Sequence, residues 1–143
     1  MNTPRLITGG LHTDSRGTIS FINDFDLSAV KRMYMIEHSD TSTVRAWQGH
    51  KVEQKWFVVT AGSFKVGLIA PDNWNEPSDI LPVQEFTLYA GEPSVLHIPG
   101  GYLNGFKALE PNSKMTVFSD ATVEESKADD YRFDKDKWVI GDW

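Results

Sequence analysis

The chain has 143 residues, 40% of them hydrophobic and 12% aromatic, enough apolar surface for one well-buried core and too little length for two ordinary domains. Its formal net charge of -6, with no long Lys/Arg run, argues against a surface that tracks nucleic-acid phosphates and leaves a small molecule as the expected partner. The absence of cysteine removes disulfides, thiolate metal sites and thiol catalysis together, and suits a reducing cytoplasm. The segment Met1 to Gly10 lacks the apolar core of a signal peptide, and no stretch approaches the roughly 20 apolar residues of a membrane helix. The expectation is one soluble, cytoplasmic domain spanning residues 1–143.

In chain order, short apolar runs rich in β-branched and aromatic residues predict strands over Thr18 to Asn23, Val30 to Glu37, Val44 to Gly49, Gln54 to Ala61, Ser63 to Ala70, Val83 to Tyr89, Ser94 to Ile98, Gly105 to Leu109 and Lys114 to Ser119. Such a series of short strands separated by Gly, Pro, Asn and Asp implies an all-β sandwich or barrel. Gly62, between two of these runs, can take the positive φ of a tight hairpin. Pro71 to Pro82 reads as a surface excursion at a barrel rim. The acidic tail Glu124 to Asp136 has room for a short helical turn but too few apolar residues for a core helix.

Two segments carry most of the functional information. The first runs from Val44-Arg45-Ala46-Trp47-Gln48-Gly49-His50-Lys51 through Lys55 to Gly62; the second is His97-Ile98-Pro99-Gly100-Gly101-Tyr102-Leu103-Asn104-Gly105-Phe106. Their order resembles the two cupin motifs, H-x-H-x4-E-x6-G followed by P-x-G-x-x-H, with Gly62 and Pro99-x-Gly101 in place. The resemblance implies a double-stranded β-helix, a jelly-roll barrel, in which the strands around Gln54 to Ala61 and Ser94 to Ile98 form adjoining walls and His50 and Asn104 share one pocket. Gln48, Lys55 and Asn104 stand at three of the four metal-ligand positions and only His50 remains. One imidazole beside an ammonium cannot hold a divalent ion firmly, so a metal-free pocket with no cofactor is expected.

Arg45 to Lys51 is also similar to the R-G-x-H-A-H-K segment of TDP-4-oxo-6-deoxyhexose 3,4-ketoisomerases. Asp14-Ser15-Arg16-Gly17 and Val30 to Ile36 resemble that family's D-x-R-G and I-K-R-V-Y-Y-I. Ile98 to Phe106 looks more like the I-P-x-G-F-A-H-G-F of the RmlC-like dTDP-4-dehydrorhamnose 3,5-epimerases, where a lysine also falls at Lys55. The likeness spans roughly residues 14–135. It implies an isomerase of a nucleotide-linked, dTDP-type 4-keto-6-deoxy sugar in surface-polysaccharide assembly, working by proton abstraction α to the keto group. His50 would be the base, Lys55 and Gln48 would stabilise the enolate oxygen, and Arg45 would meet the diphosphate.

Two departures support the alternative of a binding cupin that does not turn its sugar over. Gln48 replaces the first histidine of the family pair, and Val117 stands where an epimerase tyrosine is expected. Plainer roles remain open for every residue: a barrel-wall histidine for His50, either strand face for Lys55, an ion pair for Arg45, and core or interface packing instead of stacking for Tyr34, Trp47 and Trp56. His12 and His38, in polar surroundings, are expected to be solvated, and His97 to pack at a strand end. Open edge strands and terminal aromatics predict a homodimer.

Overall fold

The computed structural model describes residues 2–141 and 143. Among them run the strands β1 (Arg5–Thr8), β2 (Gly10–Asp14), β3 (Gly17–Phe21), β4 (Arg32–His38), β5 (Val44–His50), β6 (Lys55–Ala61), β7 (Ser63–Ile69), β8 (Gln84–Tyr89), β9 (Ser94–Ile98), β10 (Tyr102–Ala108) and β11 (Ser113–Ser119), then helix α1 (Val123–Lys127) and strand β12 (Tyr131–Arg132).

Period-two alternation along β6 sorts its side chains into two different apolar clusters. Phe57 and Val59 enter one and Trp56 and Val58 the other, because successive Cβ atoms leave opposite faces of a strand. Antiparallel pairing then builds one five-stranded sheet in the order β1-β9-β6-β11-β4 and a second in the order β12-β5-β10-β7-β8. The inner faces meet in the main core, where Phe57, Leu96 and Val117 from the first sheet pack with Phe64, Leu88 and Phe106 from the second. Each such buried side chain contributes about 1.5–3 kcal/mol of transfer free energy. This is the expected jelly-roll barrel, and β6 and β9 adjoin as expected, with Lys55 opposite Ile98 and Phe57 opposite Leu96.

Three strands were not foreseen. β1 buries only Ile7, so it shows almost no alternation. β2 pairs with β3 in a separate hairpin whose residues are nearly all exposed. β12 is two residues of the acidic tail added to the edge of β5. One core strand also begins earlier than the expected Gly105: β10 starts at Tyr102, immediately after Gly101 with φ 99° closes the preceding turn. Gly105 is a strand-interior glycine, since a Cβ there would lie 3.0 Å from the Trp47 ring.

The expected helical turn is α1, closed by a capping box between Thr122 and Glu125 and burying no residue. Beyond it the chain returns to the barrel. Trp47 and Phe133 exchange two backbone hydrogen bonds of 3.0 Å, and Trp138 and Ile140 then bury Trp47, Leu103 and Ile69 on the outer face of the second sheet. The tail thereby becomes one wall of the barrel mouth.

The hairpin between β6 and β7 rests on Gly62, which has φ 68° and whose Cβ, if present, would lie 2.1 Å from Ser113 Oγ. Left-handed backbone costs a residue with a side chain about 1–3 kcal/mol, and Ser113 is already engaged with Ser63 N and Glu110 O. Gly62→Ala is therefore expected to destabilise the fold by at least ~1 kcal/mol, read as a lowered urea midpoint at unchanged slope.

Candidate functional site

Cross-strand pairing decides which side chains share the lumen. Asn104 lies opposite Gln48 and Tyr102 opposite His50, Tyr34 opposite Val117, and Ser119 opposite Lys55. Tyr102, Phe106 and Val117 belong to the main core, so the residues two positions away from them on the same strand faces point inward as well. Lys55 is thus settled on the inner face. At the barrel mouth these residues bound a cavity of about 670 Å³, with Tyr34, Arg45, Gln48, Lys55, Asn104 and Arg132 as polar lining and Phe57, Phe106, Val117 and Phe133 among its apolar walls.

Lys55 is only 5% exposed. Its ammonium stands 5.9 Å from the centre of the Tyr34 ring and has no hydrogen bond or ion pair among the described residues. A buried cation without a carboxylate is costly, and a cation–π contact recovers only part of that cost. The lumen is thereby electropositive and suited to an anion or to an oxygen that gains negative charge.

His50 is buried at 3% exposure but is not part of the cavity lining. Its Nδ1 donates to the Asp129 carbonyl and lies 3.5 Å from Glu53 Oε1, which assigns the proton of the neutral ring to Nδ1 and the lone pair to Nε2. Nε2 is buried and without a partner among the described residues. Burial first, and the Lys55 charge second, hold the His50 pKa below its ordinary value. The side chain is therefore a neutral imidazole with a free lone pair, adjacent to the cavity and one residue pair along the strand from Gln48. Asn104, expected in the same pocket, does line the cavity; His50 stands beside it.

The other expected residues divide in the same way. Tyr34 lines the lumen with its ring toward Lys55 and toward Arg32, whose guanidinium carbon is 5.3 Å from the ring centre. Gln48 Nε2 donates to Asp130 Oδ1 at 3.0 Å, so its amide is partly committed to a carboxylate, whereas the Lys55 ammonium is not. Arg45 forms no ion pair among the described residues; its Nε donates to His38 Nε2 at 3.0 Å. Trp47 borders the cavity, yet its indole is 1% exposed, packs against Trp138 and Trp143, and donates Nε1–H to the Trp138 carbonyl. Its expected stacking on a ligand is corrected to a core role, because the C-terminal tail covers the face it presents. Trp56 likewise lies in the outer cluster, stacked on His97.

His38 is a second correction. Expected to be solvated, it is 4% exposed, because the last residue of β4 turns inward opposite Ser113 and packs between Phe64 and Phe106. Four further residues escaped notice in the sequence. Glu53 accepts from Arg32 Nη2 at 3.2 Å and from Ser119 Oγ at 2.6 Å. Asp129 accepts the backbone N–H groups of Lys51, Val52 and Glu53, fixing the β5–β6 turn that carries His50. Asp130 pairs with Arg132 at 3.1 Å, and Arg132 joins the cavity lining. Within an acidic tail without periodicity, nothing marked Asp129, Asp130 or Arg132. Among the described residues no three His, Cys, Asp or Glu side chains are grouped to hold a metal ion, and Gln48, Lys55 and Asn104 are the wrong donors for one.

A family model described as WxcM-like, C-terminal, matches residues 3–140 of the chain. No curated protein matches it. Among solved structures, a mutant of the 3,4-ketoisomerase QdtA from Thermoanaerobacterium thermosaccharolyticum, in complex with TDP-4-keto-6-deoxyglucose, superposes with a TM-score of 0.70 at 20% identity over 93% of this chain and 89% of that one. The WlaRB TDP-quinovose 3,4-ketoisomerase from Campylobacter jejuni gives 0.70 at 18% identity over 93% and 95%. The RmlC epimerase from Mycobacterium tuberculosis gives 0.72 at 17% identity over 91% and 68%. At these identities the likeness establishes a shared fold.

Burial is the leading cause that lowers the pKa of His38, His50 and His97 from the ordinary 6.5. As pH falls through that value the unfolded chain takes up protons that the folded chain refuses. Stability is then full above pH 6.5 and declines below it, until the lowered folded values are reached. The slope is up to about 1.4 kcal/mol per pH unit for each histidine. Chemical denaturation between pH 7.5 and 5.5 is expected to show this decline, and His97→Gln, outside the cavity, to make it shallower.

Proposed function

The chain belongs to the WxcM-like, C-terminal family, and from that premise we propose that it is an isomerase of a nucleotide-linked 4-keto-6-deoxy sugar, acting by proton transfer between neighbouring ring carbons. The observation that carries this reading is the unpaired Lys55 ammonium inside a cavity of about 670 Å³ with two guanidinium groups, Arg45 and Arg132, on its walls. That volume falls within the roughly 300–1,000 Å³ range of small-molecule sites. The TDP-4-keto-6-deoxyglucose held by the QdtA mutant, on the same fold, supports this class of ligand.

A proton α to a ketone is weakly acidic, and its removal near neutral pH needs a base and a stabiliser for the charge that develops on the carbonyl oxygen. Lys55 supplies the stabiliser, from a buried position where its field is weakly screened. His50 supplies the base. Its Nδ1–H is held by Asp129 and its neutral form is enforced by burial, so Nε2 has the lone pair that accepts the proton from C3 and returns it to C4, while the hydroxyl proton of O3 passes to O4 across the enediol. Because Nε2 has no exposed surface in this conformation, the encounter requires local movement of the side chains between it and the sugar as substrate binds. Arg45 and Arg132 hold the diphosphate, and Asn104 and Gln48 offer hydrogen bonds to sugar hydroxyls.

The same reading extends to a metal-independent, cytoplasmic enzyme of surface-polysaccharide assembly that acts as a homodimer. The exposed Leu11, Ile19 and Phe21 on the hairpin of β2 and β3 support the dimer, since an isolated two-stranded hairpin with apolar side chains gains stability from a partner surface.

The test is ring-proton exchange in deuterated water with a TDP-4-keto-6-deoxyglucose pool, followed by NMR beside calorimetric titration of the same ligand. Wild type is expected to exchange at C3, with the rate unchanged by a chelator. His50→Ala should lose about 100- to 10,000-fold in exchange while binding nearly normally, whereas Lys55→Ala should weaken both. Binding without exchange in wild type would establish the binding-only alternative. That alternative draws its support from the occluded Nε2 and from Gln48.

A further inference from the structure

Four arginines of this protein are held in two different ways. Arg16 is paired with Asp14 at 2.7 Å, Arg32 with Glu53 at 3.2 Å and Arg132 with Asp130 at 3.1 Å. Each of these guanidinium groups is oriented by a carboxylate that also neutralises it. Arg45 is oriented differently, by the neutral imidazole of His38, at 3.0 Å from Nε to Nε2. Its two terminal nitrogens have no partner among the described residues, and the side chain is exposed on the cavity wall. A neutral acceptor directs the fork without cancelling its charge.

The chemistry of the pair fixes the state of His38. A guanidinium can only donate, so Nε2 of His38 must have its lone pair toward Arg45 and the ring proton must sit on Nδ1. Nδ1 is buried without a partner among the described residues, an arrangement that general stability does not favour. The ring is wedged against Phe64 at 5.5 Å and Phe106 at 5.8 Å between centroids, and these contacts aim it at Arg45. Protonation would place Nε2–H against Nε–H, two donors and two like charges in contact.

We propose that His38 is a positioning residue for anion binding: as a neutral acceptor it holds the Arg45 guanidinium in line with the diphosphate of the ligand, and its protonation releases that grip. The inference rests on the proposed function in one respect, that the ligand bears a diphosphate. The charged groups acting on His38 are Arg45 from β5 and Asp40 from the loop after β4; burial and Arg45 lower its pKa and Asp40 opposes them. The remaining neighbours, Phe64 on β7, Phe106 on β10 and Ser113 on β11, carry no charge. The imidazole is thus neutral at pH 7.5 and takes up its proton below the ordinary value of 6.5.

Calorimetric titration with thymidine diphosphate tests this, using wild type, Arg45→Gln, His38→Gln, His38→Leu and the double variant His38→Leu/Arg45→Gln. Thermal unfolding confirms that each variant is folded. Glutamine can place an amide oxygen near the Nε2 position and does not titrate, whereas leucine keeps the apolar packing and removes the acceptor. At pH 7.5 Arg45→Gln and His38→Leu are each expected to bind about tenfold more weakly than wild type, the value of one charge-assisted hydrogen bond, and His38→Gln to stay within about threefold. The double variant should bind no more weakly than Arg45→Gln alone, because His38 acts through Arg45. Between pH 7.5 and 5.5 wild type should lose more affinity than His38→Gln, whose profile retains every other ionisation of ligand and protein and lacks only that of His38. Additive losses in the double variant, or full affinity in His38→Leu, would overturn the proposal. Failure of wild type to bind thymidine diphosphate at all would instead overturn the functional reading on which it rests.

Discussion

An ammonium group buried in a protein interior without a carboxylate is a debt against folding, and this barrel is arranged around one. Lys55 faces the lumen because β6 pairs with β9 and β11 in a register that turns Phe57 and Val59 into the main core. With side-chain period two, the lysine at the head of that strand has no alternative face. The inner wall beside it offers Gln48 and Asn104, which are neutral, and the nearest buried carboxylate, Glu53, is already engaged with Arg32 and Ser119. A fold whose other strands bury ordinary apolar residues can support such a cost. The charge is then available to whatever enters the cavity.

The C-terminal tail completes the site in a way that follows from edge-strand physics. β5 would otherwise present an open edge, and β12 pairs with it. The same two-residue ladder sets Arg132 opposite Gln48, places Asp130 within hydrogen-bond reach of both, and brings the Asp129 carbonyl onto His50. Protection of the edge and construction of the cavity are one event, and Trp138 and Ile140 anchor it by burial against Trp47.

Much of this was legible in the sequence because the two motif segments combine turn glycines with strand residues whose spacing is rigid. Gly62 and Gly101 do adopt positive φ, and Gln48, Lys55, Asn104 and Arg45 do meet around one cavity. What could not be read was the choice between equivalent faces. Lys55 and Trp56 are adjacent, and only the tertiary pairing decides which turns inward. Trp47 shows the converse: an aromatic residue in the motif looks like a stacking surface until the tail, far away in sequence, covers it. His38 looked solvated because its sequence neighbours are polar, but burial in a strand depends on cross-strand partners, here Ser113 and the rings of Phe64 and Phe106. Asp129 and Asp130 sat in a charged run whose default is a solvated surface, and no local pattern separates a carboxylate that caps a turn from one that faces water.

Two buried histidines beside the cavity, neither of them in its lining, illustrate how one physical effect acts in opposite hydrogen-bonding settings. Burial is the largest influence on both and keeps both neutral, but their hydrogen bonds differ in direction. His50 donates from Nδ1 to a backbone carbonyl and keeps an unengaged lone pair at Nε2; His38 spends its lone pair on Arg45 and keeps an unengaged N–H at Nδ1. The first tautomer is that of a base and the second that of an acceptor for a fixed cation. Because the tautomer is dictated by the partner and the charge state by desolvation, each imidazole has its tautomer set by its surroundings. Exchanging the partners, a cation beside His50 or a carbonyl beside His38, would exchange which ring keeps a free lone pair and which keeps a free N–H.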